Sequence, residues 1–251
     1  NGYPVDRAGI GLGARPVVAP AIESGQIDLQ PEYIGSRLGY EGGTATGSSD
    51  ANLSGLRDAL SAKGLTVLGY TPAIDTNAWV VRADTAQQLD LETIGDAAAV
   101  QDQLNWGLAQ DCPTNPLCGA PGGALEQYGV TAETIAGATL LSACDTPMAD
   151  ALRNETIDVA QLCSTQPDIL VNGWVVLEDD MNTQPADNIA PIVRNDFLAK
   201  VDRNAFEQLL NDVSARIDTP TLAELYRQVA VDRRDADDVA RDWLSDEGIV
   251  P

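Results

Sequence analysis

The sequence predicts an α/β fold with a mainly parallel sheet. Short runs rich in β-branched residues alternate with amphipathic segments of helical length, and glycines or polar turns separate them. Strands that alternate with helices favour crossover connections between parallel strands. With 251 residues, the chain is long enough to bury a sizeable core in one large domain or in two modest ones.

The individual elements are predicted from spacing and end signals. Apolar residues recur at helical spacing in 15–26, where Gly25 ends the run, and the glycine-rich stretch 39–50 is predicted to be a loop. The predicted strands are IDLQ (27–30), LTVLGY (65–70), NAWVVRA (77–83), TIDVAQLCST (156–165) and WVVLEDD (174–180). The other predicted helices are 50–64, 84–89, 91–104, 146–154, 195–217, 221–231 and 235–248.

The charge of the chain excludes one class of partner. Thirty-eight acidic and 15 basic residues give a net charge of −23, which repels phosphate backbones, so we expect no binding to nucleic acid. No apolar run approaches the roughly 20 residues that a membrane-spanning helix needs. The chain has no histidine, the usual general base, and an enzymatic function is therefore disfavoured.

The four cysteines indicate an oxidising compartment. Cys112 and Cys118 lie six residues apart in a proline-rich loop, whereas Cys144 and Cys163 lie nineteen apart. Four cysteines allow three pairings, of which the local one, 112–118 with 144–163, is the simplest. Free buried thiols and a metal site are the alternatives. Disulfides would place the protein outside the cytoplasm.

The chain has the segment IESGQIDLQPEYIGS at 22–36. This segment resembles the LESGxIDLYPEYTGT-like segments of the substrate-binding proteins of osmoprotectant ABC importers, of the glycine betaine/choline/carnitine type. Other similar segments follow in the family's order over nearly the whole chain. They are LGAR (12–15), TPAIDTNAWVVR (71–82), ETIDVAQLCSTQPDI (155–169) and VVLEDDMNTQPADNIAPIVR (175–194).

The resemblance implies a bilobed α/β fold of the type 2 periplasmic-binding-protein kind, which closes on a ligand in an interlobe cleft. Two crossovers, near 76–82 and 185–192, would join lobe one (1–78 plus 188–251) to lobe two (79–187). Family members begin with a strand and a helix before the position of Asn1. Lobe one is therefore expected to lack this first strand and helix.

The resemblance also implies a site for a quaternary ammonium group, which has no N–H donor and is recognised by the faces of aromatic rings. Tyr33 and Trp79 match two aromatic positions of the family's cage, and Ser36 matches the hydroxyl residue that binds the polar end of the ligand. Cys163 and Asp187 stand where the family has tyrosines. We expect Asp187 to pair with a cationic nitrogen and Cys163 to lie beside the pocket as half of a disulfide.

Each of these residues also has a plainer structural interpretation. Tyr33 could be a half-buried loop aromatic, Trp79 strand core, Ser36 a helix cap and Asp187 a turn former. The acidic run 177–180 could suggest calcium, although a strand-end turn rich in acids is commoner. We predict no metal and no cofactor.

The preferred function is solute binding for an ABC importer. A ligand-sensing domain on the same fold is the alternative, and an enzyme is the least favoured class. The expected partners are a small cationic or zwitterionic solute and the permease and ATPase subunits of the transporter, and the protein itself is expected to be a monomer. It is expected outside the cytoplasm, periplasmic or anchored at the cell surface, with the export signal absent from this sequence.

Overall fold

The computed structural model describes residues 15–250 and divides the chain into two compact units. The first unit contains the described part of Asn1–Ile74 together with Ala186–Thr221 and Arg234–Pro251. The second contains Asp75–Pro185 and Leu222–Arg233. The lobe boundaries at 78/79 and 187/188 stay a prediction. The segment at 12–14 and the missing first strand and helix lie outside the described residues.

Within the described residues, eight strands form two sheets, one in each unit. In the first unit the order is β1-β8-β2, and in the second it is β5-β4-β6-β3-β7. The strands are β1 (Leu29–Tyr33), β2 (Leu65–Val67), β3 (Asn77–Val81), β4 (Trp106–Ala109), β5 (Thr139–Leu141), β6 (Val159–Cys163), β7 (Val175–Val176) and β8 (Ile189–Arg194).

Helices of one to four turns connect and cover these strands. They are α1 (Arg15–Ser24), α2 (Ile34–Tyr40), α3 (Ser49–Ser61), α4 (Ala83–Leu89), α5 (Ile94–Ala99), α6 (Ala124–Gln127), α7 (Ala132–Gly137), α8 (Thr146–Arg153), α9 (Pro167–Asn172), α10 (Asn195–Leu198), α11 (Arg203–Ser214), α12 (Thr219–Ala230) and α13 (Ala236–Asp246). Within residues 15–250, no helix combines the length and the apolar character needed to cross a bilayer.

The prediction of a mainly parallel sheet is wrong for the described strands. In the first sheet β8 is antiparallel to both neighbours, because it returns from the long segment inserted after β2. In the second sheet only the pairs β4–β5 and β4–β6 are parallel, whereas β3 runs opposite to β6 and β7. Alternation of strands and helices in the sequence does not reveal such reversals.

Each unit has its own apolar core. The first packs α2 and α3 against its sheet through residues such as Ile34, Leu56 and Ile192, all fully buried. In the second unit the strands β3, β4 and β6 are buried almost throughout, and the largest cluster contains Trp79 and Trp106. Burying that much apolar side-chain surface is the main stabilising contribution to each unit.

The predicted pairing of the cysteines is confirmed. Cys112 bridges Cys118 and Cys144 bridges Cys163, with S–S distances of 2.03 Å. The first disulfide is completely buried in the core of the second unit, whereas both cysteines of the second are only half-buried. The second disulfide ties the end of β6 to the loop before α8.

The burial difference predicts different rates of reduction. A reductant thiolate must reach a sulfur atom, so Cys144–Cys163 is expected to open at least about tenfold faster than Cys112–Cys118 in the folded protein. Timed alkylation after mild reduction, followed by mass mapping, measures both rates. Denaturant should abolish the difference. Equal rates without denaturant, or the reverse order, would contradict this expectation.

Candidate functional site

The junction between β1 and α2 carries two of the predicted site residues. The structure extends the predicted strand 27–30 to Tyr33, which is the residue before α2 and has extended backbone angles. The N–H of Ile34 donates to the carbonyl of Asn188 at 2.9 Å, which holds this junction against β8. Tyr33 is half-buried and Ser36, in the first turn of α2, is exposed.

The carboxylate of Asp187 caps the N-terminus of α2. The backbone N–H groups of Gly35 and Ser36 both donate to Asp187 Oδ1 at 2.9 Å, and the Ser36 hydroxyl donates to Oδ2 at 2.5 Å. Burial raises the pKa of Asp187, while these hydrogen bonds and the charge of Arg15 act in the opposite direction. Ser36 therefore binds Asp187, which caps the start of α2. The role of Asp187 in pairing with a cationic nitrogen stays a prediction.

The absence of a side chain at Gly35 allows this close approach. A Cβ atom there would lie 3.0 Å from the carbonyl oxygen of Ala186 and 3.1 Å from Asp187 Oδ1. The segment is fixed from the other side, because Ala186 N–H donates to Thr46 and the buried Asn52 amide donates to the Ala186 carbonyl. The position of Asp187 is thus fixed by its own bonds to the start of α2 and by the bonds of its neighbour Ala186 to Thr46 and Asn52.

An ion pair between Arg15 and Glu32 lies directly before Tyr33. The Arg15 guanidinium contacts the Glu32 carboxylate with two hydrogen bonds, of 3.1 and 2.9 Å. Glu32 is buried, and it also accepts from the Gln30 amide and from the N–H of Tyr33. Arg15 and Glu32 are not recognisable as site residues from the sequence. Their types carry no site signal, and only the pairing of side chains 17 residues apart shows that they fix the backbone of Tyr33.

Trp79 lies in the core of the second unit. Its side chain is 1% exposed and packs in the largest apolar cluster of that unit. The indole Nε1 of Trp79 has no hydrogen-bond partner among the described residues. This burial is compatible with the plainer interpretation of Trp79 as strand core, and its role in binding a ligand stays a prediction.

Cys163 lies at the end of β6, opposite Asn77 at the start of β3. The Asn77 amide donates to the side-chain oxygen of Gln184 at 3.2 Å, and the Gln184 amide donates to the carbonyl of Leu117. The Cys163 sulfur is bonded to Cys144. This end of the second sheet is therefore polar and partly exposed, unlike the surroundings of Trp79.

The predicted site residues fall into two groups. Tyr33, Ser36 and Asp187 belong to the first unit, where Ser36 and Asp187 are in direct contact. Trp79 and Cys163 belong to the second unit. Their roles in binding a ligand stay predictions.

The acidic run at 177–180 is a turn. The Asp179 carboxylate accepts from the Thr183 N–H and hydroxyl, from the Gln184 N–H and from the Tyr128 hydroxyl. Burial and the bond to Asp179 raise the pKa of Tyr128. Within residues 15–250 no group of three His, Cys, Asp or Glu side chains is arranged to hold a metal ion.

Similarity to known proteins agrees with the resemblance seen in the sequence. Residues 1–246 match the family described as the substrate binding domain of ABC-type glycine betaine transport systems. The chain is 29% identical to the glycine betaine-binding protein YehZ of Escherichia coli over 248 residues, covering 94% of this chain and 79% of the relative. It is 26% identical to a glycine-betaine-binding protein of Pseudomonas aeruginosa, covering 96% of this chain and 78% of the relative.

Solved structures show the same fold. The crystal structure of a glycine betaine/carnitine/choline ABC transporter superposes with a TM-score of 0.84 at 20% identity, covering 95% of this chain and 85% of the other. Apo YehZ from Escherichia coli superposes with a TM-score of 0.80 at 26% identity, covering 95% and 87%. The predicted fold class, an α/β fold like that of periplasmic binding proteins, is confirmed.

Proposed function

The chain belongs to the substrate-binding domains of ABC-type glycine betaine transport systems, and from this premise we propose that it captures a small quaternary-ammonium solute for an importer. Family membership confirms the prediction of a solute-binding protein rather than an enzyme. It also favours transport over the sensing alternative. Substrate-binding proteins of ABC importers act outside the cytoplasm, and two disulfides agree with an oxidising compartment.

The junction of β1 and α2 is the observation that supports this proposal most directly. Tyr33 offers a half-buried aromatic ring at the residue before α2, and Asp187 offers a carboxylate that accepts from the N–H groups of Gly35 and Ser36 at the start of the same helix. Aromatic faces and carboxylates are the two groups that attract a quaternary ammonium. Both belong to one unit and are held by hydrogen bonds to the backbone, so this part of the site is preorganised.

The partners and the location follow from the same family. We propose that the protein docks on the permease of an ABC transporter, whose ATPase subunits drive uptake, and that it does so as a monomer in the periplasm or at the cell surface. The net charge of −23 keeps it away from nucleic acid and attracts cationic solutes. The closing of two lobes on the solute stays a prediction.

Removing the ring of Tyr33 tests the proposed function. Tyr33→Leu keeps much of the apolar volume but has no π face, so its Kd for choline or glycine betaine should rise by about 2- to 30-fold. Tyr33→Phe keeps the face and should bind within about threefold of the wild type. Isothermal titration calorimetry of the whole chain measures both.

Tyr226→Leu is the matched control, because Tyr226 is an exposed tyrosine on α12. It should bind like the wild type. The proposal fails if the wild type binds none of choline, glycine betaine and carnitine. If Tyr33→Leu binds these solutes as tightly as the wild type and unfolds at the same temperature, Tyr33 is not a ligand contact.

A further inference from the structure

We propose, resting on the function proposed above, that the Cys144–Cys163 disulfide is a redox switch for solute binding. Closed, it anchors the end of β6 and, through it, the segment by which the chain enters the second unit. Opened by a dithiol reductant, it lets this end of the second unit loosen. The affinity for the solute then falls, while the unit stays folded.

The Cys144–Cys163 disulfide is accessible to a reductant. Both cysteines are only half-buried, and the residues on either side of the loop cysteine, Ser142 and Asp145, are exposed. The disulfide Cys112–Cys118, by contrast, is fully buried. Because thiol–disulfide exchange needs a thiolate in contact with a sulfur atom, a dithiol can open the accessible disulfide and leave the buried one closed.

The backbone of Cys144 favours the opened state. Cys144 lies in the loop between β5 and α8 and has a φ of 55°, a left-handed conformation that residues with a Cβ rarely adopt. Opening the bond frees the loop to leave this conformation and so releases its strain. The partner, Cys163, lies at the end of a regular strand.

The end of β6 is bound to the entry segment, residues 75–77, by three hydrogen bonds. The N–H of Ser164 donates to the carbonyl of Thr76 at 2.9 Å, and the N–H of Thr76 donates to the Ser164 hydroxyl at 3.1 Å. The hydroxyl of Thr165, which is only 5% exposed, donates to Asp75 Oδ1 at 2.8 Å. Both donors on this side directly follow Cys163, so the disulfide anchors the residues that hold the entry segment.

The entry segment is also linked to the segment by which the chain leaves the second unit. Asn77 lies opposite Cys163 in the pairing of β3 with β6, and its amide donates to the side-chain oxygen of Gln184 at 3.2 Å. Gln184 is buried and directly precedes Pro185, the last residue of the main stretch of this unit. Loosening the end of β6 therefore affects both connecting segments of the second unit.

The second unit does not depend on this disulfide for its core. Residues 159–162 of β6 are buried, and the strand pairs with β3 and with β4. Helix α8, which follows the loop cysteine, contributes the fully buried Met148 and Leu152 to an apolar cluster. Opening the bond is therefore a local event at the end of β6 and in the loop before α8.

A loosened entry segment lowers the affinity because the binding-competent arrangement is then only partly populated. The measured Kd rises by the inverse of the fraction of molecules that keep that arrangement. Disulfide opening also removes a constraint that preorganises the unit before the solute arrives. We expect a rise in Kd of at least about fivefold.

The chemistry is an ordinary two-electron exchange. One thiolate of the dithiol attacks a sulfur of the Cys144–Cys163 bond and forms a mixed disulfide, which releases the other cysteine as a thiolate. The second thiol of the reductant then forms its own cyclic disulfide and releases the second cysteine. Two electrons and two protons pass to the protein, and an oxidising disulfide such as oxidised glutathione reverses the change.

Calorimetry of the whole chain in both redox states tests the inference. Choline, glycine betaine and carnitine are titrated into the oxidised protein, and the tightest binder is kept as the probe. Mild dithiothreitol should raise the Kd for this probe at least about fivefold, and reoxidation should restore it. Mass mapping confirms that Cys144–Cys163 is open and Cys112–Cys118 closed. Hydrogen exchange should become faster in peptides that cover 75–77 and 163–165.

The double variant Cys144→Ser with Cys163→Ser is the matched control. It should bind the probe like the reduced wild type, and its amides at the end of β6 should exchange equally fast. Dithiothreitol should leave its Kd unchanged, because it has no accessible disulfide. Circular dichroism and thermal unfolding show that the reduced wild type and the double variant are folded at the temperature of the titration.

The outcomes distinguish the switch from the proposed function. The switch is overturned if reduction leaves the Kd unchanged, if the reduced protein unfolds, or if dithiothreitol weakens binding by the double variant as well. The proposed function stands in each of these cases, since the oxidised protein still binds a solute. If the oxidised protein binds none of the three solutes, the proposed function fails and the switch fails with it.

Discussion

Replacing Trp79 with alanine is expected to lower the free energy of unfolding by about 3–5 kcal/mol. The side chain is 1% exposed and lies in the core of the second unit, on the central part of β3. Alanine would leave a cavity there, which surrounding side chains on β4 and β6 can fill only in part. Urea unfolding followed by circular dichroism measures the loss as a lower transition midpoint.

Two further variants make this result specific. Trp79→Phe keeps most of the buried ring and removes an indole N–H that has no partner in the described part of the chain, so it should cost less than about 2 kcal/mol. Trp243→Ala, at a half-buried position on α13, should cost less than Trp79→Ala.

Ligand binding separates the structural role of Trp79 from the predicted contact with the solute. If Trp79 is core only, Trp79→Leu, measured where it is fully folded, should keep the affinity of the wild type, because the lost ring face then removes no contact with the solute. A variant that folds as stably as the wild type but binds choline and glycine betaine more weakly would restore Trp79 to the binding site.

The second large effect is expected at Arg37, which is fully buried. Its Nε contacts Glu41 at 2.9 Å and its Nη2 contacts Glu23 at 3.1 Å. Lys63 binds the same two carboxylates. Glu41 is buried, whereas Glu23 and Lys63 are about one third exposed. Arg37→Leu removes the fully buried partner of Glu41 and should lower the free energy of unfolding by about 3 kcal/mol.

The matched control for Arg37 is an exposed arginine. Arg241 pairs with Asp238 on the surface of α13, and both side chains are more than 60% exposed. Arg241→Leu should change the free energy of unfolding by no more than about 0.5 kcal/mol, because water and salt screen such pairs. Equal losses in the two variants would contradict a special role for the buried cluster.

The pH dependence gives a second check on this cluster. Burial alone would raise the pKa of Glu41, but hydrogen bonds and charges of Lys63 and Arg37 lower it below its usual value. A depressed carboxylate pKa stabilises the fold above the unfolded-state pKa of about 4.3, and this contribution disappears as pH falls through the folded-state pKa. The loss caused by Arg37→Leu should therefore be largest near neutral pH and shrink in acid.

Local sequence signals predicted several elements because each is decided by its own residues. The helix α3 has a serine cap at Ser48 whose side chain accepts from the Ala51 N–H, and Gly64 follows its end with a positive φ. The strands β3 and β6 are recognisable as apolar runs. By contrast, β4 and β5 have only four and three residues, too few for a periodic pattern to show.

The candidate site residues come from a positional match and not from local chemistry, and their roles in binding stay predictions. Tyr33, Ser36 and Asp187 are candidates because the segments around them resemble a family. The same positional match selected Trp79, and nothing in its neighbourhood, with Val80 and Val81 beside it, distinguishes a ring that faces a ligand from a ring that faces a core. The partners of Glu32 could not be predicted, because Arg15 is 17 residues away and approaches only after α1 and β1 have packed.

The sequence by itself determined the α/β composition, the net negative charge and the family, and it made the local pairing of Cys112 with Cys118 and of Cys144 with Cys163 the simplest of three. Residue types and short spacings decide these properties. Only the tertiary structure decided the direction of β8, the burial of Trp79 and the place of Asp187. The Asp187 carboxylate binds the start of α2 across 151 residues of sequence, and such a contact depends on how the chain returns to β8 after the second unit. No local pattern encodes that return, because it is fixed by the packing of whole elements.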